Sequence, residues 1–445
     1  MKYQIAVLGG GPAGYTAAGI LGKAGKQVVL FEKNNIGGVC LNEGCIPTKA
    51  LLYSAKVHDM ALSAAKYGVM VDQVGFDLKK SMSRKSKIIR KLTLGIKQKL
   101  SANHVDIVVG EATLCNEHTI SCGDETYECD YMILCNGSET FIPPIPGLNQ
   151  VDYWTHREAL ECKELPASLT IIGGGVIGME FASFYNSIGV RVTVIEMLGE
   201  ILKGFDGEIA ALLRAEYAKR GIQFHLGTKV TRVAQDDAAI IVDYMADGTP
   251  GQCRTDKLLV SVGRTPAREG YGLENLHLIH NGKSIMVNGY MQSSINNVYV
   301  CGDITGNSML AHTAVREAEV AANHILGYDV KMSYKAIPGV VYTNPEVASI
   351  GMTEELLQSA GFSYRAEKLP MSYSGRFVAE NEGANGMCKV LIDDDDTILG
   401  AHIIGNPSSE LIVIIGIMIA EEKKYTDLKS YVFPHPTVGE IFKEI

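Results

Sequence analysis

Apolar and polar positions along the chain fall into a few clear periodicities. "YQIAVLG" is an apolar run of strand length that stops at a glycine cluster, and "PAGYTAAGIL" continues it at helical spacing. "QVVLFEK" then forms a second apolar strand. The same order of strand, glycines, helix and strand returns in "SLTIIGGGVIGMEFAS" and "VRVTVIEM". Short apolar strands alternating with helices predict parallel βαβ units. Near the C-terminus, "CKVLIDDDDTILGAHIIG" reads as a hairpin whose turn is the acidic run 393–396, and "SELIVIIGIMIAEE" follows as a helix. "TLCNEHTISCGDETYECDYMIL" reads as short strands and turns, and "SRKSKIIRKLTLGIKQKL" (83–100) as a basic helix with a solvated face.

Both glycine clusters have the spacing Gly-x-Gly-x-x-Gly: Gly9, Gly11 and Gly14, then Gly173, Gly175 and Gly178. The first glycine permits a tight turn, the second lets the backbone approach a pyrophosphate, and the third lets helix and strand pack closely. The helix N-terminus turns its partial positive charge toward the phosphates. Each second strand ends in a carboxylate, Glu32 or Glu196, 18 residues beyond the last glycine, where it can accept ribose hydroxyls. A glycine cluster alone is common; strand, helix, second strand and terminal acid together specify a dinucleotide site. The two units lie 164 residues apart, too far for a solenoid repeat, so they predict two separate Rossmann-like domains. Glu196 would repel a 2′-phosphate and no Arg immediately follows it, so the second site is expected to take NAD rather than NADP. Arg191 and Lys203 are the cations nearest to it in sequence. Two dinucleotides on one chain imply electron transfer between them.

Composition narrows the class. With 445 residues, 46% of them hydrophobic and 20% charged, the chain is an ordinary globular protein of several domains. A formal net charge of −9 argues against nucleic acid or an anionic membrane as partner. No apolar run approaches the ~20 residues of a membrane span. The N-terminus leads straight into the glycine turn instead of a secretion signal, so a cytoplasmic protein is expected. In a reducing compartment, a close pair among its ten cysteines is catalytic or metal-binding rather than structural.

That pair is Cys40 and Cys45 in "GGVCLNEGCIPTK" (37–49), about eight residues past Glu32. In a regular helix, Cα atoms five residues apart are roughly 8–9 Å from each other. A disulfide needs about 4.4–6.8 Å. A disulfide there would therefore require the segment to tighten or distort, and Gly44 beside Cys45 permits that. A zinc site would need a second ligand pair, and none lies near by. Two inert packing thiols fit poorly beside a dinucleotide turn, so a redox-active pair is favoured.

"GGVCLNEGCIPTK" resembles the redox motif of the flavin-dependent pyridine nucleotide–disulfide oxidoreductases, and within them the dihydrolipoamide-oxidising group. The likeness extends through "GGGVIGME", "VSVGRTP", "VYVCGDITG" (298–306), "MLAHTA" (309–314), "VYTNPEVASIGMTEE" (341–355) and "HPTVGE" (435–440). The resemblance implies FAD at the first turn and NAD at the second. It makes Cys40 the cysteine that exchanges with the dithiol substrate and Cys45 the one in contact with the flavin. It places Asp303 on the FAD ribityl chain and pairs Lys49 with Glu180 beside the flavin ring. Gly263 and Ala311, in two of the matching segments, and Gly137, in Cys135-Asn136-Gly137 where the family usually has ATG, are further cofactor-binding candidates. Residues alone would make Lys49 a solvated helix lysine and Glu180 a helix-surface carboxylate.

The tail supplies the base. A dithiol with pKa values near 8.5 needs one at neutral pH. The resemblance assigns that role to His435, with Glu440 as its partner, and joins Cys40 and Cys45 of one subunit to His435 of the other in a homodimer. Thr437 and Glu440 also have the spacing of a capping box, with Val438, Ile441, Phe442 and Ile445 at helical spacing behind them. Departures from the family pattern are Val39, Glu43, Cys135, Asn136 and Phe433; none removes a catalytic group. Cys115, Cys122 and Cys129 with His118 invite a metal reading, but strand packing explains them more simply, and no metal is expected.

The resulting organisation is an FAD domain at 1–145, an NAD domain at 146–265, a central segment at 266–335 completing the FAD domain, and an α+β interface domain at 336–445. Mercuric reductases carry an extra C-terminal cysteine pair, which is missing here, and glutathione-type reductases favour NADP. A non-catalytic NADH-binding flavoprotein is the rival from another class. No lipoyl segment precedes the first turn, so the expected lipoyl-bearing acyltransferase or glycine-cleavage carrier is a separate chain.

Overall fold

The computed structural model describes residues 1–282 and 284–445, which form two compact units. The first comprises residues 1–50, 82–141 and 263–333 around a seven-stranded sheet. Val105–Val109, Val28–Glu32, Lys2–Leu8 and Glu125–Leu134 run parallel, in that order. The far edge of Glu125–Leu134 has two neighbours: Thr119–Cys122 pairs antiparallel with its first half, and Val298–Val300 pairs parallel with its end. Val28–Glu32 is buried at every position. A strand covered on both faces reads as an unbroken apolar run, which is how it reads in the sequence. Helix Pro12–Lys23 starts at Gly11 with proline in its first turn, where a missing N–H costs nothing. Ala17, Ala18 and Leu21 of this helix share one core with Ala318, Ala321 and Ala322 of helix Ala311–Ile325.

The second unit comprises residues 51–81, 142–262 and 334–445. Its parallel sheet, Gln223–His225, Arg191–Ile195, Ser168–Ile172 and Lys257–Val260, repeats the order of the first. A three-stranded antiparallel meander at 228–255 is inserted before its last strand. The C-terminal part is a five-stranded antiparallel sheet. The predicted hairpin forms within it, Met387–Ile392 against Ile398–Ile404, with the acidic run at its turn. Helix Ser408–Ala420 covers the sheet with Leu411, Ile412, Ile415 and Met418. Lys389, 1% exposed, is neutralised by Asp206 at 2.8 Å and by Glu208 and Glu354. Burial, the largest single influence, raises the Asp206 carboxyl, but the Lys389 hydrogen bond, the nearby His402 and Lys389 charges and the Ile209 N–H together outweigh it and hold the pKa below the usual range.

The basic stretch forms helix Leu78–Ala102, yet it is not all solvated face. Ser81, Lys85 and Leu100 are buried, with Lys85 only 1% exposed. Lys85 lies four residues from Ser81 and fifteen from Leu100, spacings that return a helical chain to nearly the same face, so Lys85 shares the inward stripe.

Candidate functional site

From Glu32 the chain turns through Gly37 at φ +108° and Gly38 at φ +58° into the six-residue helix Gly38–Glu43. That helix ends at Gly44, with φ −144° and ψ −99°, and helix Cys45–Leu62 begins at once. The distortion that a disulfide at this spacing requires takes the form of a break between two helices. Cys40 and Cys45 lie 4.6 Å apart at Cα and are joined by a disulfide. The Asn42 amide braces the short helix by donating to the Gly38 carbonyl at 2.9 Å. A Cβ on Gly38 would sit 2.6 Å from the Cα of Gly11, so the redox segment lies directly on the first glycine turn.

That turn is shaped to receive a phosphate group. Gly9 has φ +100°, and a Cβ there would meet the Cys135 carbonyl at 2.2 Å. A Cβ on Gly14 would meet the Gly9 carbonyl at 1.8 Å. Glu32 is 8% exposed and accepts the N–H groups of Gly10 at 2.8 Å and Asn34 at 2.7 Å. The second turn repeats these features. Gly173 has φ +105°, and a Cβ on Gly178 would lie 2.0 Å from the Gly173 carbonyl. Glu196 accepts from Gly174 at 2.6 Å and from Leu198 at 2.8 Å. Both turns sit at the C-terminal ends of parallel strands, where dinucleotides bind in such sheets.

Asp303 accepts the Ser138 hydroxyl proton at 2.5 Å, and Arg264 binds both the Ser138 Oγ at 2.7 Å and its carbonyl at 2.6 Å. Glu317, fully buried, accepts the N–H of Gly302 at 2.6 Å and fixes the turn leading to Asp303. The sequence reading passed over Ser138, Arg264 and Glu317. A glutamate inside the apolar stripe Thr313, Ala314, Ala318, Ala321 was a usable signal for Glu317; Ser138 offered none. Gly137, at φ +77°, accepts Ala267 N–H through its carbonyl, and Gly263, at φ +127°, accepts that of Phe141, both at 3.0 Å. Ala311 opens helix Ala311–Ile325. Asn136 Oδ1 is buried beside the first turn with no hydrogen-bond partner among the described residues. Two glycine cradles and an orphaned acceptor at the first fit a pair of dinucleotides, one held by each unit.

Lys49 lies in the first turns of the redox helix and is half-buried. Glu180 is not the surface carboxylate that its residue type suggested: it is 3% exposed and accepts the Tyr342 N–H at 3.0 Å. In the tail, His435 Nδ1 is 3.0 Å from Glu440 Oε1, while Glu440 Oε2 accepts the Thr437 N–H at 2.8 Å. One carboxylate thus serves both as cap and as histidine partner. The Thr437 N–H, and after it the His435 contact, hold the Glu440 carboxyl below its ordinary range. The His435 side chain is 82% exposed. Cys115 is exposed and Cys129 buried, with burial pushing the Cys129 thiol up to about 12. No group of three metal-ligating side chains occurs among the described residues, and none of their helices is long and apolar enough to cross a membrane.

Residues 3–318 match the family model of the pyridine nucleotide-disulphide oxidoreductases, and residues 337–445 match that family's dimerisation domain. The chain is 35% identical to the dihydrolipoyl dehydrogenase of Haloferax volcanii, covering 99% of this chain and 95% of that one. It is 36% identical to the Thermus scotoductus dihydrolipoyl dehydrogenase, covering 98% and 95%. Among solved structures it resembles the HOCl-induced flavoprotein disulfide reductase RclA of Escherichia coli, with TM-score 0.89, 28% identity and coverage of 100% and 99%. The chain belongs to the pyridine nucleotide-disulphide oxidoreductase family.

Proposed function

We propose that the chain acts as a dihydrolipoyl dehydrogenase, oxidising protein-bound dihydrolipoamide with NAD⁺ as final acceptor. The observation that carries this reading is the Cys40–Cys45 disulfide seated on the first dinucleotide turn. Relatives of this name at 35–36% identity over almost the whole chain support it.

The chain's own groups have distinct tasks. Glu440 accepts a hydrogen bond from Nδ1 of His435, which leaves Nε2 as the basic nitrogen. In a homodimer, His435 of the second subunit takes the proton of the incoming thiol. The thiolate attacks the Cys40 sulfur, and Cys45 leaves as thiolate. The second substrate thiol then displaces Cys40, and the substrate departs as the cyclic disulfide with both cysteines reduced. The chemistry that FAD supplies when bound is acceptance of that electron pair and its delivery as hydride to a nicotinamide. Gly9, Gly11, Gly14, Glu32 and Asp303 would hold it, with NAD⁺ on Gly173, Gly175, Gly178 and Glu196. Lys49 and the buried Glu180 are assigned to the flavin-ring environment by the family resemblance alone. In this reading residues 1–145 and 266–335 form the FAD domain, 146–265 the NAD domain and 336–445 the interface domain. The dihydrolipoyl group would be presented by an acyltransferase or a glycine-cleavage carrier protein.

Anaerobic titration with dihydrolipoamide tests this. Wild type should develop long-wavelength charge-transfer absorbance, Cys45→Ser should not, and His435→Gln should lower kcat by roughly 10²–10⁴-fold. No band in wild type, with NADH still bleaching the flavin, would overturn the proposal in favour of a non-catalytic NADH-linked flavoprotein.

A further inference from the structure

Helix Leu78–Ala102 carries nine of the chain's 41 basic residues and none of its 50 acidic ones. Solvated helices usually intersperse the two signs, because opposite charges four residues apart support a helix and like charges there oppose it. Here like meets like: Lys80 with Arg84 and Lys87 with Lys91 stand four apart, and all four are exposed. They form one stripe spanning roughly 16 Å at the helical rise of 1.5 Å per residue. Lys80 has Asp77 at 3.4 Å, but Lys79, Lys87, Arg90, Lys91, Lys97 and Lys99 make no ion pair among the described residues. The stripe starts beside the redox helix, since Arg84 Nη1 donates to the Ala50 carbonyl at 2.9 Å, five residues beyond Cys45.

From this we infer that the outer face of helix Leu78–Ala102 is the docking surface for the protein that carries the dithiol, and that the docking face of that carrier is acidic. The inference rests on the function proposed above and adds the surface and charge of the partner. An acidic chain approaching this protein is repelled over most of its surface, since the residues outside the helix carry 32 basic against 50 acidic side chains, a formal −18, and it is attracted at this helix. The attraction concentrates the carrier next to the helix that begins at Cys45. A free dithiol of small size and no charge gains nothing from it. A twofold dimer built on this face would set like charge against like, so a second copy is not its occupant.

The test compares two substrates of the holoenzyme, free dihydrolipoamide and the same group on a recombinant, net-negative lipoyl domain. The variants are a triple Lys87→Glu, Arg90→Glu, Lys91→Glu and a milder Lys87→Gln, Lys91→Gln. At low salt, kcat/KM for the carrier should fall roughly tenfold or more in the triple variant and less in the milder one, in line with the size of steering effects. Turnover of free dihydrolipoamide should stay within about twofold of wild type by the same reasoning. Added salt should slow the wild type on the carrier and leave the triple variant unmoved. Equal loss on both substrates would mean a structural role and overturn the inference. So would unchanged carrier rates, including the case where the variant instead loses binding to phosphatidylserine vesicles or duplex DNA. If wild type turns over neither substrate, the functional reading itself has failed.

Discussion

The two glycine turns are built on the same bonds. The first glycine's N–H goes to the carbonyl of the neighbouring strand, Gly9 to Phe31 and Gly173 to Ile195, both at 2.9 Å. The helix starts on an extended glycine in each, with ψ −172° at Gly11 and −176° at Gly175. The difference lies in what stands over the turn. A Cβ on Gly11 would be 3.8 Å from Gly38 of the redox segment, while one on Gly175 would meet nothing within 4 Å. Glu32 is buried and Glu196 half-exposed. A turn with a second segment folded over it retains what it binds, and an open one lets its ligand exchange. These are the opposite needs of a resident flavin and of a nicotinamide nucleotide that must leave after each turnover.

The strongest way to break this comparison is to damage both cradles alike. Gly14→Ala and Gly178→Ala each drive a methyl into a backbone carbonyl, at 1.8 and 2.0 Å. Backbone cannot swing aside as a side chain does, so each should lose about 1–3 kcal/mol. Their symptoms should differ. Gly14→Ala is expected to purify without flavin, read from the ratio of flavin to protein absorbance. Gly178→Ala should stay yellow and raise the KM for NAD⁺ roughly tenfold or more, by the same overpacking. Flavin lost from both, or from neither, would remove the assignment of one nucleotide to each turn.

The lid itself can be tested next. Gly38 has φ +58°, and a Cβ there would lie 2.6 Å from the Cα of Gly11. Gly38→Ala should lower the unfolding midpoint and speed flavin loss on dialysis, a cost of about 1–3 kcal/mol. Gly175→Ala, in open space, should leave the midpoint unmoved and weaken only NADH binding. If the two substitutions cost the same stability, the contrast between closed and open turns fails.

How far all this was legible from the sequence depends on the kind of signal. Elements with a strong period were plain: the strands ending at Gly9 and Gly173, the hairpin around the acidic run, and helix Ser408–Ala420. Fixed spacing also pointed to a distortion near Gly44, because five residues of regular helix cannot bring two cysteines within bonding range; that it takes the form of a break between two helices was seen only in the structure. What was not legible came from long-range packing. Glu180 and Lys85 looked like surface charges because their residue types are usually solvated, yet both are buried. Ser138 meets Asp303 across 165 residues of chain and Arg264 across 126, and no local pattern encodes that.

The mildest perturbation touches only the acids. Glu196 uses one oxygen for Gly174 and the other for Leu198. A glutamine in its place keeps one acceptor and presents an amide N–H₂ to a backbone N–H that needs an acceptor. Losing a charged hydrogen bond of this kind costs about 1.5–3 kcal/mol, so Glu196→Gln should raise the KM for NAD⁺ by roughly tenfold or more. It also removes the negative charge that would repel a 2′-phosphate, so the preference for NAD⁺ over NADP⁺ should narrow from both directions. Glu32 makes the same two bonds, but a cofactor held by the closed turn has many other contacts. Glu32→Gln should therefore leave the purified protein yellow and show itself only as faster flavin release in dilute solution. Comparing kcat/KM for the two nucleotides across these variants decides the matter. An unchanged nucleotide ratio in Glu196→Gln would place that carboxylate away from the ribose and leave it as a brace for its own turn.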